Sequence, residues 1–217
     1  MFDENKNNIT RKFLELKMWV NSIPEKQECK DSFDSINKGL FFVYAYGIYE
    51  GIVHDIISET IMELNTASIP IDKCIFELYS IIFSPEYDSL RDVGIEHKWE
   101  KRWAISSKML GNSNVLIQGD MFPTDGKNLR YKQLEMIAKS FGLKSEVLPR
   151  VELKGFLDEL VNNRNDIAHG NKLPKDVGGR YSRQELLTRC ENMSEICSHI
   201  CISYENYIIK KQYLRKS

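Results

Sequence analysis

Apolar residues recur at intervals of three and four along nearly the whole chain. No stretch alternates apolar with polar long enough to read as a strand. Residues 8–22 carry Phe13, Leu14, Leu16, Met18, Trp19 and Val20 among charges, and Pro24 ends the pattern, which predicts a first helix. Residues 31–64 form a longer segment, apolar nearly all round from Leu40 to Tyr49, as expected of a central helix packed on several sides. Pro70 opens a further helix over about 71–83, ended by "SPEY". The least periodic part is 84–130, which holds "HKWEKRW" and the turn-rich "GNSN" and "PTDGKN". Helical spacing returns at 129–141, closed by Gly142 in C-cap position, and again at 151–170, closed by Gly170 and Pro174. A glycine-containing loop follows, and Ser182 with Glu185 then makes a capping box that opens a last helix running to about 213. The pattern predicts an all-α fold: one helical bundle over 1–217 with an irregular insertion at 84–128.

The totals remove some function classes. The 217 residues are 42% hydrophobic and 28% charged, an ordinary globular balance, and long enough to bury a sizeable core. A formal net charge of −1 gives no global basic field, so any contact with nucleic acid needs a local patch. The N-terminal residues lack a basic-then-apolar leader pattern, and Glu50, His54 and Asp55 interrupt the most apolar run, so a cytoplasmic protein without a membrane span is expected. Five scattered cysteines, Cys29, Cys74, Cys190, Cys197 and Cys201, fit reduced thiols. Cys197, His199 and Cys201 invite a zinc reading, but Cys190, Cys197 and Cys201 share one helix face and read as core residues. No metal site and no cofactor is expected.

Two charges break the apolar pattern. At about 100° per residue, Leu153, Phe156, Leu157, Leu160, Val161, Ile167 and Ala168 form one stripe, and Arg164 falls in its middle. His169 follows Arg164 with four residues between, which places it about 140° round the helix beside Asn165. Either the last turn distorts before Gly170, or the two side chains meet in a cleft lined by two copies of the helix. In the central helix Glu50 is the matching anomaly. A lone buried charge costs several kcal/mol, so either Glu50 lies near Arg164 or it faces solvent at a rim, unpaired.

Arginine is a permanent, forked cation suited to phosphate, and histidine moves protons near neutral pH. Together they suit metal-independent cleavage of RNA. The imidazole would take the proton of a ribose 2′-hydroxyl, which attacks the adjacent phosphate while arginine stabilises the oxyanion charge. A 2′,3′-cyclic phosphate would result. The spacing alone is also that of a plain polar helix end.

The stretch "RNDIAH" matches the R-x4–6-H signature of the HEPN superfamily. The run "NLRYKQLEMIAKSFGL", "LDELVNNRNDIAHGN" and "YSRQELL" resembles stand-alone HEPN-like nucleases of toxin–antitoxin and anti-phage loci. "YAYGIYEGIVHD" is similar to the early family helix that carries a glutamate after an aromatic. The likeness covers most of 38–205, is strongest over 129–187, and leaves out 84–120. It implies a dimerising helical bundle with a composite, metal-independent RNase site. Arg164 and His169 would be the catalytic pair, with Asn165, Asp166 and Glu50 in support. It also implies an antitoxin or regulatory protein as partner. Relatives silenced by adenylylation carry a tyrosine two residues after the histidine, and Asn171 stands there, which argues against a nucleotidyltransferase partner. The alternative is a non-catalytic HEPN-like module for RNA, nucleotide or dimerisation.

Other features carry two readings each. Lys98, Trp99 and Arg102 in "HKWEKRW" would suit stacked single-stranded RNA, but an amphipathic helix burying Trp99 and Trp103 is the plainer expectation. Lys172, Lys175 and Arg180, in a loop after the motif, would steer RNA or merely keep the surface soluble. His54 reads as a satisfied core histidine or a group supporting the site, and "IIKKQYLRKS" as a frayed basic end or a phosphate contact.

Overall fold

The computed structural model describes residues 1–24, 33–111, 113–118, 121–124 and 128–215. Among them the chain is built from helices: α1 (Asp3–Ser22), α2 (Phe33–Thr66), α3 (Tyr79–Ile82), α4 (Ser84–Arg91), α5 (Lys98–Met109), α6 (Tyr131–Phe141), α7 (Leu153–Ala168), α8 (Pro174–Gly178) and α9 (Arg183–Ile209). No strand occurs among the described residues, only two isolated bridges, Pro70 with Asn114 and Cys74 with Leu214. The all-α expectation holds.

The centre is α2, which packs against α1, α7, α8 and α9. Phe41, Phe42, Ala45, Tyr46, Tyr49, Ile52, Val53, Ile56 and Ile57 are all buried, so the helix is wrapped on most of its circumference, as its composition predicts. By length and composition alone α2 is apolar enough to cross a membrane, with mean hydropathy 1.3 over its best window. That differs from the sequence expectation, because two acidic residues do not lower the average enough. Some 56% of the window is buried within the protein, and a core helix passes the same test.

The start of α1 lies five residues before the predicted one. Phe2 plugs the core, its backbone N–H donates to the Glu59 carboxylate at 2.7 Å, and Asp3 and Glu4 suit the positive end of the helix dipole. The predicted helix at 71–83 resolves instead into two short 3₁₀ turns, Ile71–Lys73 and Phe76–Leu78, followed by α3. The stretch expected to be irregular holds α4 and α5, while its turn-rich tracts fall partly outside the described residues. After α5 the chain returns along α2. Val115 donates to the Ile69 carbonyl at 2.7 Å, Asn65 and Ile117 exchange two hydrogen bonds, and Leu129 arrives beside Tyr46.

The segment after the motif is not a loose loop. It folds as α8 and presses on α2 with backbone against backbone: a Cβ on Gly39 would strike the Pro174 carbonyl, and one on Gly178 would strike that of Ser35. The Ser182–Glu185 capping box is present, and Gly142 closes α6 in the left-handed region at φ 65°. The last described residue is also tied down rather than frayed. Arg215 donates to the Cys74 carbonyl at 2.7 Å and the Tyr79 hydroxyl at 3.0 Å.

Cys74, Cys190, Cys197 and Cys201 are free and buried, and Cys29 lies outside the described residues. Burial pushes the Cys74 and Cys201 thiols up to about 11 and Cys190 up to about 12, and raises Cys197 as well. A thiol held protonated is a poor nucleophile. An alkylating reagent at pH 8 will therefore leave these four unmodified in the native protein and label them in urea, as peptide mapping by mass spectrometry will read. Labelling of the native core would contradict this packing.

The glycine contacts give a second test. Gly178→Ala forces a methyl into backbone and will destabilise the protein by about 1–3 kcal/mol. Gly155→Ala on α7, where a Cβ meets nothing within 4 Å, will stabilise it by about 0.5–1 kcal/mol. Urea denaturation measures both, and equal shifts would refute the close α2–α8 contact.

Candidate functional site

Tyr46, Glu50 and His54 lie at successive turns along α2, with Gly47 and Gly51 between them. At Gly47 a Cβ would meet nothing within 4 Å, so the glycine leaves open space above the helix. Across that space α7 brings Arg164 and its C-cap residue His169, while Phe122, Thr124 and Asn128 from the returning segment form the third wall. The result is an open cleft of about 730 Å³, within the usual size of ligand clefts of roughly 300–1,000 Å³.

Arg164 and His169 line this one cleft without a distorted turn between them. The α7 backbone stays helical to the end, with the His169 N–H donating to the Asn165 carbonyl at 3.0 Å. Gly170 then turns the chain away at φ 71°, a conformation that disfavours a Cβ. The width of the cleft absorbs the angular offset between the two side chains.

Among the described residues no carboxylate positions Arg164. Its guanidinium lies over the Tyr46 ring, 4.9 Å from the centroid, and Nη1 donates to the Asn165 side-chain oxygen at 3.0 Å. The same oxygen accepts from Asn128 at 3.2 Å. Glu50 does approach this group, but through Tyr46, whose hydroxyl donates to the carboxylate at 2.8 Å and accepts from the Leu129 backbone N–H at 3.0 Å. Burial raises the Tyr46 hydroxyl well above its ordinary pKa, and the Glu50 hydrogen bond adds to that, so the phenol stays protonated and donates. Among the described residues no ion pair joins Glu50 to Arg164 directly.

Other expected residues fall elsewhere. Asp166 pairs with Lys172 in a short salt bridge, and the Lys172 backbone N–H donates to the Asp166 carbonyl, so both clip the turn after the motif. Arg180 is exposed beyond α8, and Lys175 is half-buried at its start. Lys98, Trp99 and Arg102 sit on α5 and do not line the cleft. The expected burial of the tryptophans is wrong: Trp99 is 62% and Trp103 66% exposed, with Arg102 stacked 4.8 Å over Trp99. Ile105 is the buried residue of α5, so the tryptophans face outward. His54 is also exposed rather than in the core, its ring 5.3 Å from that of Phe122.

Sequence reasoning missed the residues that hold α7. On one edge Asp158 and Asn162 both accept from Arg130, at 3.1 and 2.7 Å. On the next edge Asn163 donates to the Tyr181 hydroxyl at 2.9 Å, and Tyr181 donates to Glu159 at 2.8 Å. Arg189 closes the network with two bonds to Glu159, at 2.7 and 3.0 Å. The signal was the polar pair spacing in "DELVNN", where each edge repeats at four residues.

The family model described as RiboL-PSP-HEPN matches residues 7–206, and the chain belongs to that family. HEPN domains are generally nuclease or RNA-binding modules. Comparison with curated proteins and with solved structures gave no match.

Replacing Tyr46 with phenylalanine leaves the buried Leu129 N–H without its acceptor. The expected cost is about 1–3 kcal/mol, read as a lower urea midpoint with an unchanged slope. A variant as stable as the wild type would show that the hydroxyl does not anchor the returning segment.

Proposed function

We propose that the chain is a metal-independent endoribonuclease acting in the cytoplasm, as a toxin or defence effector, through its Arg164–His169 cleft. The observation that carries this reading is the state of Arg164. It is fixed by an aromatic face and an amide oxygen, and among the described residues no carboxylate pairs with it, so its charge remains available to an anion.

In this reading a phosphodiester lies against the guanidinium. His169 takes the 2′-hydroxyl proton, the 2′-oxygen attacks phosphorus, and Arg164 stabilises the charge on the phosphoryl oxygens. DNA lacks the nucleophile and is spared. Asn165 and Glu50 act by positioning, the former on Arg164 and the latter through Tyr46. Trp99 and Trp103 on α5, with Lys98 and Arg102 beside them, offer faces on which bases of the same strand stack.

The reading includes a homodimer. Leu40 and Tyr44 are exposed on α2 and line a groove of about 640 Å³ that meets the cleft at Gly47, and Leu14 and Met18 are exposed on α1. A second copy on this face would set two clefts near each other. An antitoxin or regulatory protein as a further partner follows from the family likeness alone.

The test is purified protein with total RNA in EDTA, beside Arg164→Ala and His169→Ala. Loss of the arginine is expected to slow cleavage about 10²–10³-fold and loss of the histidine about 10²–10⁴-fold, with cyclic phosphate ends from the wild type. Equal cleavage by all three would remove the site assignment. No cleavage by folded wild type would favour the non-catalytic RNA- or nucleotide-binding module.

A further inference from the structure

We infer that His54 is the general acid of the proposed reaction, delivering the proton to the departing 5′-oxygen. The inference rests on the RNA-cleaving reading above and completes its chemistry. Transesterification moves two protons. One leaves the 2′-hydroxyl as the new 2′-O–P bond forms, and another must reach the 5′-oxygen as the P–O5′ bond breaks. A single imidazole that has just accepted the first proton sits on the attacking side, and in-line displacement puts the leaving oxygen on the opposite side.

The cleft holds a second imidazole on a different wall. His54 is on α2 and His169 at the end of α7, and both line the same space with Arg164. The His54 ring is exposed and set against the Phe122 ring at 5.3 Å, tilted 53°. Glu50 precedes it by one turn on α2, and Arg164 and His169 stand on α7. Asp55 is the next residue on α2, bonded to Asn8 of α1, and Lys12 of α1 approaches α2 at Gly51, while Phe122 and Thr124 bring no charge. Each chain therefore carries both an acid and a base for one phosphodiester, on facing walls.

His169 gains the 2′-hydroxyl proton and His54 loses one to the 5′-oxygen. The products are a 2′,3′-cyclic phosphate and a 5′-hydroxyl end, and proton exchange with water resets both rings.

The test uses the full-length chain and two short RNAs containing a position the wild type cuts. One is ordinary RNA, and the other has sulfur in place of the 5′-oxygen at that position, so that the leaving thiolate needs no proton. The His54→Ala variant is expected to lose about 10²–10⁴-fold on ordinary RNA, and to cleave the sulfur-containing RNA within a few-fold of the wild type. His169→Ala is expected to fail on both. Retained activity on the sulfur substrate also shows that the variant is folded, and His54→Asn repeats the comparison with a polar replacement. Equal losses on both substrates, or no loss on ordinary RNA, would overturn the role of His54 while leaving the nuclease intact. A wild type that cleaves neither substrate would overturn the proposed function, and this inference with it.

Discussion

The placement of Arg164 over Tyr46 is the contact on which the geometry of the cleft depends. A carboxylate would hold an arginine more strongly, but it would also occupy the cation that would meet a phosphate in the proposed reaction. An aromatic face attracts a guanidinium by about 0.5–2 kcal/mol and leaves its charge in place. Tyr46 does more than cradle the cation. Its hydroxyl donates to Glu50 and accepts from Leu129, so one side chain links the central helix, the motif helix and the returning segment. The negative charge of Glu50 is thereby kept near Arg164 but one residue removed from it.

This contact works only if α7 cannot slide along α2. Two polar networks on adjacent edges of α7 prevent that, one through Arg130 and the other through Tyr181 and Arg189. On the far side α8 is pressed into α2 at Gly39 and Gly178, which fixes the chain just beyond His169. The Asp166–Lys172 pair shortens the link between them. The cleft is thus framed by rigid helices, while its open floor comes from small residues on α2.

Much of this was legible in the sequence. The wrapped character of α2 followed from its apolar run, and the helix ends at Gly142, Gly170 and Ser182 followed from their caps. Arg164 and Glu50 announced themselves as charges on apolar faces, and the structure brings both to one tyrosine. What could not be read were contacts between elements distant in the chain. Tyr46 looked like one more core aromatic, since nothing local marks a hydroxyl that meets Leu129 across 83 positions. Phe2 concealed an early helix start, because polar residues follow it. His54 and the two tryptophans were misjudged for a shared reason: an aromatic ring on a helical stripe is read as buried, and only tertiary packing decides which stripe is covered. In α5 the covered residue is Ile105, so the tryptophans are left outside.

The proposed reaction requires a phosphodiester of RNA in the cleft between α2 and α7. A crystal structure of the protein with a short RNA bearing a 2′-deoxy sugar at the cleavage position would test it most directly, because the substrate would bind without a nucleophile. The expected result is a phosphate on the Arg164 guanidinium, with His169 beside the 2′-carbon and His54 on the 5′-oxygen side. A phosphate bound elsewhere, with the cleft occupied only by water, would contradict it.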